Sequence, residues 1–243
     1  MRLYALAVSH PAHSARLMLE HKRIEHSVSY LLPGFHPLQL RAAGFRGATV
    51  PALKLDGRRV QGSREIARAL ESLVPDPALF PAEDEARRAV EEAERWGEQE
   101  LQDVPRRIFR WVTAHEQQVR RWLGEVVGLP GAGIAGALNL PVARAFARRS
   151  GATDEQVRAD IEGLPKMLDH VDGLISSRVI GGELPTAADF QIAPSVRLLL
   201  AFEQLRPAVA NRLAGELAMR LLPEIPEPIP ATLPVDWVRA LTR

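Results

Sequence analysis

The stretch that decides the fold is VPALKLDGRRVQGS, which runs from Val50 to Ser63. It contains two short strand-like runs on either side of Asp56-Gly57, a dipeptide that favours a two-residue turn between antiparallel strands. Ser63 then opens a segment whose apolar residues recur at helical spacing. The stretch therefore predicts a β-hairpin that leads directly into a helix.

The residues before this hairpin alternate between strand and helix signals. Residues 3–8 form an apolar run, residues 12–21 have one apolar helical face, and residues 25–31 alternate polar and apolar side chains. A short helix is predicted over 38–43. The predicted order for residues 1–74 is β-α-β-α-β-β-α, which indicates a small mixed sheet with helices on both faces.

The chain changes character after residue 74. Prolines mark residues 75–82 as a linker, and residues 83–222 show almost only helical periodicity. The uncharged segment 126–143 has few large apolar side chains, so it is predicted to be a flexible connection between helices and not a membrane span. Residues 223–243 are rich in proline and are predicted to run extended. The sequence thus predicts an α/β domain followed by an all-helical domain.

Composition excludes several classes of function. The net charge is +1 and a quarter of the residues are charged, which gives no reason to expect nucleic acid or a membrane as a partner. The chain has no cysteine, so any thiol chemistry needs a thiol that is brought in from outside. His10 and His13 offer at most two metal ligands, so no metal site is expected. The cytoplasm is the expected location.

Three motifs resemble those of the soluble glutathione transferase family. Residues 48–53 together with 61–66 look like the valine-proline strand start and the serine-headed helix of that family. Residues 181–190 are similar to its glycine turn and Ser/Thr-x-x-Asp box, and Ser9 stands where serine-type members carry their catalytic hydroxyl. The resemblance covers nearly the whole chain. It implies a thioredoxin-like domain, a glutathione-transferase-type helical domain and a homodimer.

The resemblance also implies a thiol site in the first domain, with glutathione or a related small thiol as co-substrate. Ser9 is expected to donate a hydrogen bond to the bound thiolate, with Tyr4, His13 and Ser14 as alternatives. A free thiol has a pKa of about 8.5, so ionising it at neutral pH requires roughly 2 kcal/mol. One hydroxyl bond to an anion and a helix N-terminus supply about that much. Ser9 is equally suited to cap the first helix.

The Val50-Pro51 bond has two interpretations. Sequence alone favours a trans bond at the start of an edge strand. The resemblance implies a cis bond that turns the backbone N–H and C=O of Val50 toward a peptide-like ligand, as an added strand would be bound.

Ser63 can cap its helix, and its hydroxyl can also bind a ligand carboxylate beside the free N–H groups of the helix start. In the family the preceding residue is usually acidic and supports the amino group of the ligand, whereas this chain has Gly62. Gln61 and Arg64 are candidate substitutes for that acidic residue.

The helical domain is expected to supply the pocket for the electrophile, because in the family its first long helix lines the cleft. Aromatic residues at helical spacing more often belong to a core, and the arginines either favour an anionic substrate or form a solvated face. The candidates for this pocket are His10, His13, Trp96, Arg106 and Arg110.

The function implied is that of a glutathione-transferase-like enzyme, which activates the thiol for attack on an electrophilic small molecule. Three reactions are compatible with such a site: conjugation of the kind used in detoxification, peroxide reduction that consumes the thiol, and isomerisation through thiol addition. The alternative is a non-catalytic protein that binds a thiol or another ligand with the same fold.

Overall fold

The computed structural model describes residues 1–128, 139–223 and 228–242. Most of the connection predicted over 126–143 therefore lies outside the described residues. In the described part of the chain, no helix is both long and apolar enough to cross a membrane.

The chain divides into two compact units. The first comprises Met1–Glu98 and Ser177–Pro194, and the second comprises Gln99–Ser176 and Ser195–Arg243. The first unit thus extends past the α/β domain predicted over 1–74. One link between its two segments is a hydrogen bond of 2.8 Å from the amide of Ala187 to the carbonyl of Leu79.

A four-stranded mixed sheet forms the centre of the first unit, as predicted. Its strands lie in the order β2-β1-β3-β4, with β1 and β2 parallel and both other pairs antiparallel. Asp56 and Gly57 connect the last two strands and both have positive φ, 43° and 86°, as a tight hairpin turn requires. The strands are β1 (Arg2–Ala5), β2 (Ser27–Tyr30), β3 (Ala52–Leu55) and β4 (Arg58–Gln61).

Helices pack on both faces of this sheet. Leu3 and Leu53 face each other across β1 and β3 and are fully buried on one face. On the other face the ring of Tyr4 meets that of Phe45 edge to face, with 5.3 Å between the ring centres, so Tyr4 packs in the core. The helices of the first unit are α1 (His10–His21), α2 (His36–Ala42), α3 (Ser63–Leu73) and α4 (Asp84–Trp96).

Beyond α4 the described regular structure is helical, apart from one isolated bridge between Phe202 and Ile229. A π-helical turn, Gly97–Leu101, follows α4. The later helices are α5 (Asp103–His115), α6 (Gln117–Val126), α7 (Leu140–Arg149), α8 (Asp154–Ser176), α9 (Ala187–Leu200), α10 (Arg206–Val209), α11 (Leu213–Leu221) and α12 (Val235–Val238).

One local prediction needs correction. The end of the predicted extended tail is helical, in α12 and in the 3-10 turn Arg239–Thr242. The helical turn places Trp237 in a nearly buried position against Trp111, and this apolar burial outweighs the extended preference of the prolines.

Candidate active site

Two loops meet at one edge of the sheet. Because β1 and β3 are antiparallel, with Tyr4 opposite Ala52, the end of β1 lies beside the beginning of β3. Ser9 follows the end of β1, and Pro51 immediately precedes β3. The register therefore brings the first helix start and the proline to the same edge.

The end of β4 lies at that edge as well. Gln61 pairs with Ala52, and the amide of Gly62 donates a hydrogen bond of 3.0 Å to the carbonyl of Pro51. Ser63 then begins α3. We call this region, with Ser9, Val50-Pro51 and Ser63, the site edge.

Ser9 is the N-cap of α1, as one of its two interpretations predicted. Its hydroxyl oxygen accepts a hydrogen bond of 3.4 Å from the amide of Ala12, and the residue is half-buried. Capping uses a lone pair of the oxygen, so the hydroxyl hydrogen stays available as a donor. By contrast, the hydroxyl of Ser14 is buried and donates to the carbonyl of His10 within the helix.

His13 follows one turn after Ser9. Burial and the neighbouring Arg16 lower the pKa of its imidazole to about 4, opposed in part by a hydrogen bond with the backbone of Ala7. The ring is therefore neutral at physiological pH, and it adds no positive charge to the site edge.

The Val50-Pro51 bond is cis, as the family resemblance implied. Among the described residues, neither the N–H nor the C=O of Val50 has a hydrogen-bond partner. A half-buried residue with an unpaired backbone donor and acceptor is suited to pairing with another extended backbone.

Gln61 and Arg64 are engaged inside the protein. The Gln61 amide accepts from the N–H of Gly47 at 2.8 Å and donates to the carbonyl of Thr49 at 3.2 Å, which ties down the loop before Val50. Arg64 makes ion pairs of 3.2 Å with both Glu94 and Glu98. The structure thus gives both residues a role in holding the surroundings of the site edge.

Ser63 does not cap α3. The N-cap is Gly62, whose φ of 96° and ψ of 140° lie in a region that favours glycine. Ser63 is the first helical residue, is only 3% exposed, and makes no hydrogen bond through its hydroxyl to any residue that the structure describes. The first N–H groups of α3 lie at the same place, so the helix start offers several donors to an anion.

Glu65 also lies at the site edge, which the sequence did not predict. A side chain added at Gly62 would place its Cβ 2.1 Å from Oε2 of Glu65, so the Glu65 carboxylate occupies the space that the glycine leaves open. The signal in the sequence was an acidic residue at the third position of a helix, where side chains commonly fold back over the helix start.

The comparisons with known proteins agree with this architecture. Residues 3–78 match the family model of the glutathione S-transferase N-terminal domain. This part of the chain therefore matches a glutathione S-transferase N-terminal domain, whereas the likeness over the whole chain is one of fold. No curated protein sequence matches the chain.

Several solved glutathione S-transferases share the whole-chain fold. One from Rhodospirillum rubrum F11 is 21% identical, with 98% of each chain covered and a TM-score of 0.59. A rice glutathione S-transferase in complex with glutathione is 18% identical, with 93% of this chain and 91% of that chain covered and a TM-score of 0.62. A bacterial Zeta-class member, maleyl pyruvate isomerase, is 19% identical, with 93% and 100% covered and a TM-score of 0.57.

The residues predicted for the electrophile pocket are divided between the two units of this glutathione S-transferase fold. His10, His13 and Trp96 belong to the first unit, where His10 is buried at the start of α1. Arg106 and Arg110 lie on α5 in the second unit. Within the described ranges, no three histidine, aspartate or glutamate side chains form a group that could hold a metal ion.

Proposed function

We propose that the protein binds glutathione, or a related small thiol, at the site edge and activates it for attack on an electrophile. One observation carries the proposal: a donor hydroxyl at Ser9, an unpaired backbone at Val50 and the open helix start at Ser63 share one edge of the sheet. These are the groups that a peptide-like thiol with a carboxylate requires.

Ser9 is the residue proposed to stabilise the thiolate. Its hydroxyl donates to the sulfur anion while its oxygen continues to cap α1. A hydrogen bond to a charged group contributes about 1.5–3 kcal/mol, and the helix start adds about 0.3–1 kcal/mol. The lower end of this sum already lowers the thiol pKa by about one unit, since one unit corresponds to about 1.4 kcal/mol.

The remaining groups orient the ligand. The backbone of Val50 pairs with the peptide-like part, and the Ser63 hydroxyl with the first N–H groups of α3 holds a carboxylate. In the family an acidic residue usually stands at the position of Gly62. Glu65 takes over its role and supports the ligand's ammonium group, because the Glu65 carboxylate lies beside Gly62. Holding the thiol in one orientation accelerates its reaction with an electrophile bound nearby.

The proposed thiol site supports more than one class of reaction. Conjugation, peroxide reduction and isomerisation through thiol addition each use the same activated sulfur. A protein of similar fold, maleyl pyruvate isomerase, is named as an isomerase. A role in detoxification, a homodimer and a cytoplasmic location stay predictions.

The test is to titrate the ionisation of protein-bound glutathione through its thiolate absorbance, alongside conjugation to an activated aryl halide. For the wild type we expect a bound-thiol pKa about one to two units below the free value of about 8.5. Ser9→Ala is expected to return this pKa toward the free value and to lower turnover at neutral pH at least tenfold. Ser9→Thr retains a hydroxyl and a cap, so it is expected to keep most of the activity.

Ser27→Ala serves as the matched control, because Ser27 is an exposed serine on the edge strand β2. It should change neither the pKa nor the turnover. Binding of glutathione without a lowered pKa or turnover would support the non-catalytic alternative. Absence of binding in the wild type would refute the thiol site.

A further inference from the structure

The two edge strands of the sheet differ in charge. β4 carries Arg58 and Arg59, both exposed, and charged side chains commonly prevent an edge strand from pairing with another chain. β2, at the opposite edge, carries no charge, and residues 26–40 contain no Asp, Glu, Lys or Arg. The β2 edge therefore lacks the charges that protect the β4 edge.

The outer side of β2 has unpaired backbone groups. Leu31, which follows the strand, donates its amide to the carbonyl of Ala5 in β1 at 2.8 Å. Because the backbone groups of successive strand residues point to alternate sides, the N–H and C=O of Val28 and Tyr30 point away from β1. Within the described part of the chain, none of these groups has a hydrogen-bond partner. An edge of this kind is a template for another strand.

Exposed apolar side chains follow one another along this part of the chain. Tyr30, Leu32, Phe35 and Leu38 are between 41% and 69% exposed. They lie on β2, on the connection that follows it and at the start of α2, all in the first unit. Covering such side chains with another protein surface is favourable, because it removes apolar area from water.

We propose that β2 pairs with β2 of a second copy of this chain, antiparallel and about a two-fold axis. Ser29 then lies opposite Ser29 of the second copy, and Val28 lies opposite Tyr30 of the second copy. Each pair of Val28 with Tyr30 exchanges both N–H···O bonds, which satisfies the outward backbone groups.

The absence of charge is the reason why a second copy fits this edge. A two-fold contact brings each residue close to its own counterpart, so any charge there would face a like charge. Residues 26–40 contain no such charge. The contact involves no residue of the site edge and does not depend on the proposed thiol site.

Sedimentation equilibrium of the full chain, over a range of protein concentrations, measures this association. Val28→Pro removes an N–H that points away from β1, so β2 stays in its own sheet while both copies lose a donor. Tyr30→Lys introduces like charges near the axis. Each variant is expected to weaken association at least tenfold. The melting temperature of each should stay close to that of the wild type, and Tyr30→Lys decides the test if Val28→Pro does not fold.

A mixture of two variants distinguishes pairing at this edge from a general loss of apolar surface. In the proposed register the two residues at position 30 are diagonal neighbours on one face of the extended sheet. An equimolar mixture of Tyr30→Lys and Tyr30→Glu therefore brings opposite charges together. It is expected to associate several-fold more tightly than either variant alone, and no recovery in the mixture would overturn the antiparallel pairing.

The matched control variant is Leu184→Lys, which places a lysine at another exposed leucine of the first unit. It should leave the association unchanged. A wild type that stays monomeric would overturn the proposal and would leave the edge to a strand of a different protein. Association that is equally tight in the wild type, Val28→Pro and Tyr30→Lys would overturn it as well, because the contact would then lie elsewhere.

Discussion

At the scale of single residues, the site edge consists of groups that keep spare hydrogen-bonding capacity after folding. The Ser9 oxygen accepts a backbone bond and still has its hydrogen, while the Ser63 hydroxyl has no partner among the described residues. Gly62 contributes by its backbone conformation, and Glu65 covers the space beside it. The proposed thiol site uses the groups that the fold leaves unpaired.

His13 predicts a pH dependence of stability at this scale. Burial lowers its pKa from 6.5 to about 4. Above pH 6.5 the ring is neutral in both states, whereas between pH 6.5 and pH 4 the unfolded chain binds a proton that the folded chain does not. The free energy of unfolding should therefore fall as the pH decreases through this window, by at most about 3 kcal/mol from this residue.

Urea unfolding at both ends of this window checks the prediction. His13→Gln should show a smaller loss of stability on acidification than the wild type. Identical losses in the wild type and His13→Gln would show that the ring is not shielded as described.

At the scale of elements, one buried lysine connects α1, α3 and the segment that follows α3. The Lys22 ammonium pairs with Glu71 at 2.7 Å and donates to the carbonyls of Val74 and Pro77. Glu71 also accepts from the amide of Leu79 at 2.9 Å. These bonds attach the segment that follows α3 to both α1 and α3.

Lys22→Met is expected to lower the free energy of unfolding by about 3–5 kcal/mol, because the carboxylate of Glu71 loses its ion-pair partner in a mostly buried position. Chemical denaturation measures the loss. Lys54→Met, at an exposed lysine of β3, is the control and should change stability by less than about 0.5 kcal/mol.

A double variant separates the pair from general damage. Lys22→Met combined with Glu71→Leu should recover part of the stability, since no unpaired charge is left behind. A loss of less than about 1 kcal/mol in Lys22→Met alone would contradict the account of a connecting ion pair.

At the scale of the whole molecule, the last described residues of the chain pack on earlier helices of the second unit. The amide of Ile229 donates to the carbonyl of Ala201 at 3.0 Å, and that of Thr232 donates to Glu116 at 2.7 Å. The ring of Trp237 lies 5.0 Å from that of Trp111. The proline-rich segment therefore packs on the helices of the second unit and contributes to the stability of that unit.

Trp237→Ala should lower the free energy of unfolding of the second unit by about 3–5 kcal/mol, as expected for removal of a large buried aromatic side chain. Val235→Ala, at an exposed position of the same short helix, should have little effect. Calorimetric unfolding of the full chain measures both. Equal stability of the two variants would show that the tail does not pack on the core.

The sequence by itself determined the order of strands and helices, the hairpin at Asp56-Gly57 and the lack of a cysteine thiol, because these depend on residue type and on neighbours a few positions apart. Tertiary structure alone decided that Gly62 and not Ser63 caps α3, that Gln61 and Arg64 are engaged elsewhere, and that Glu65 reaches the site edge. Arg64 meets a carboxylate 30 residues away, and Lys22 meets a carbonyl 55 residues away. Such partners are selected by packing, so only the folded chain shows which polar groups are left free for a ligand.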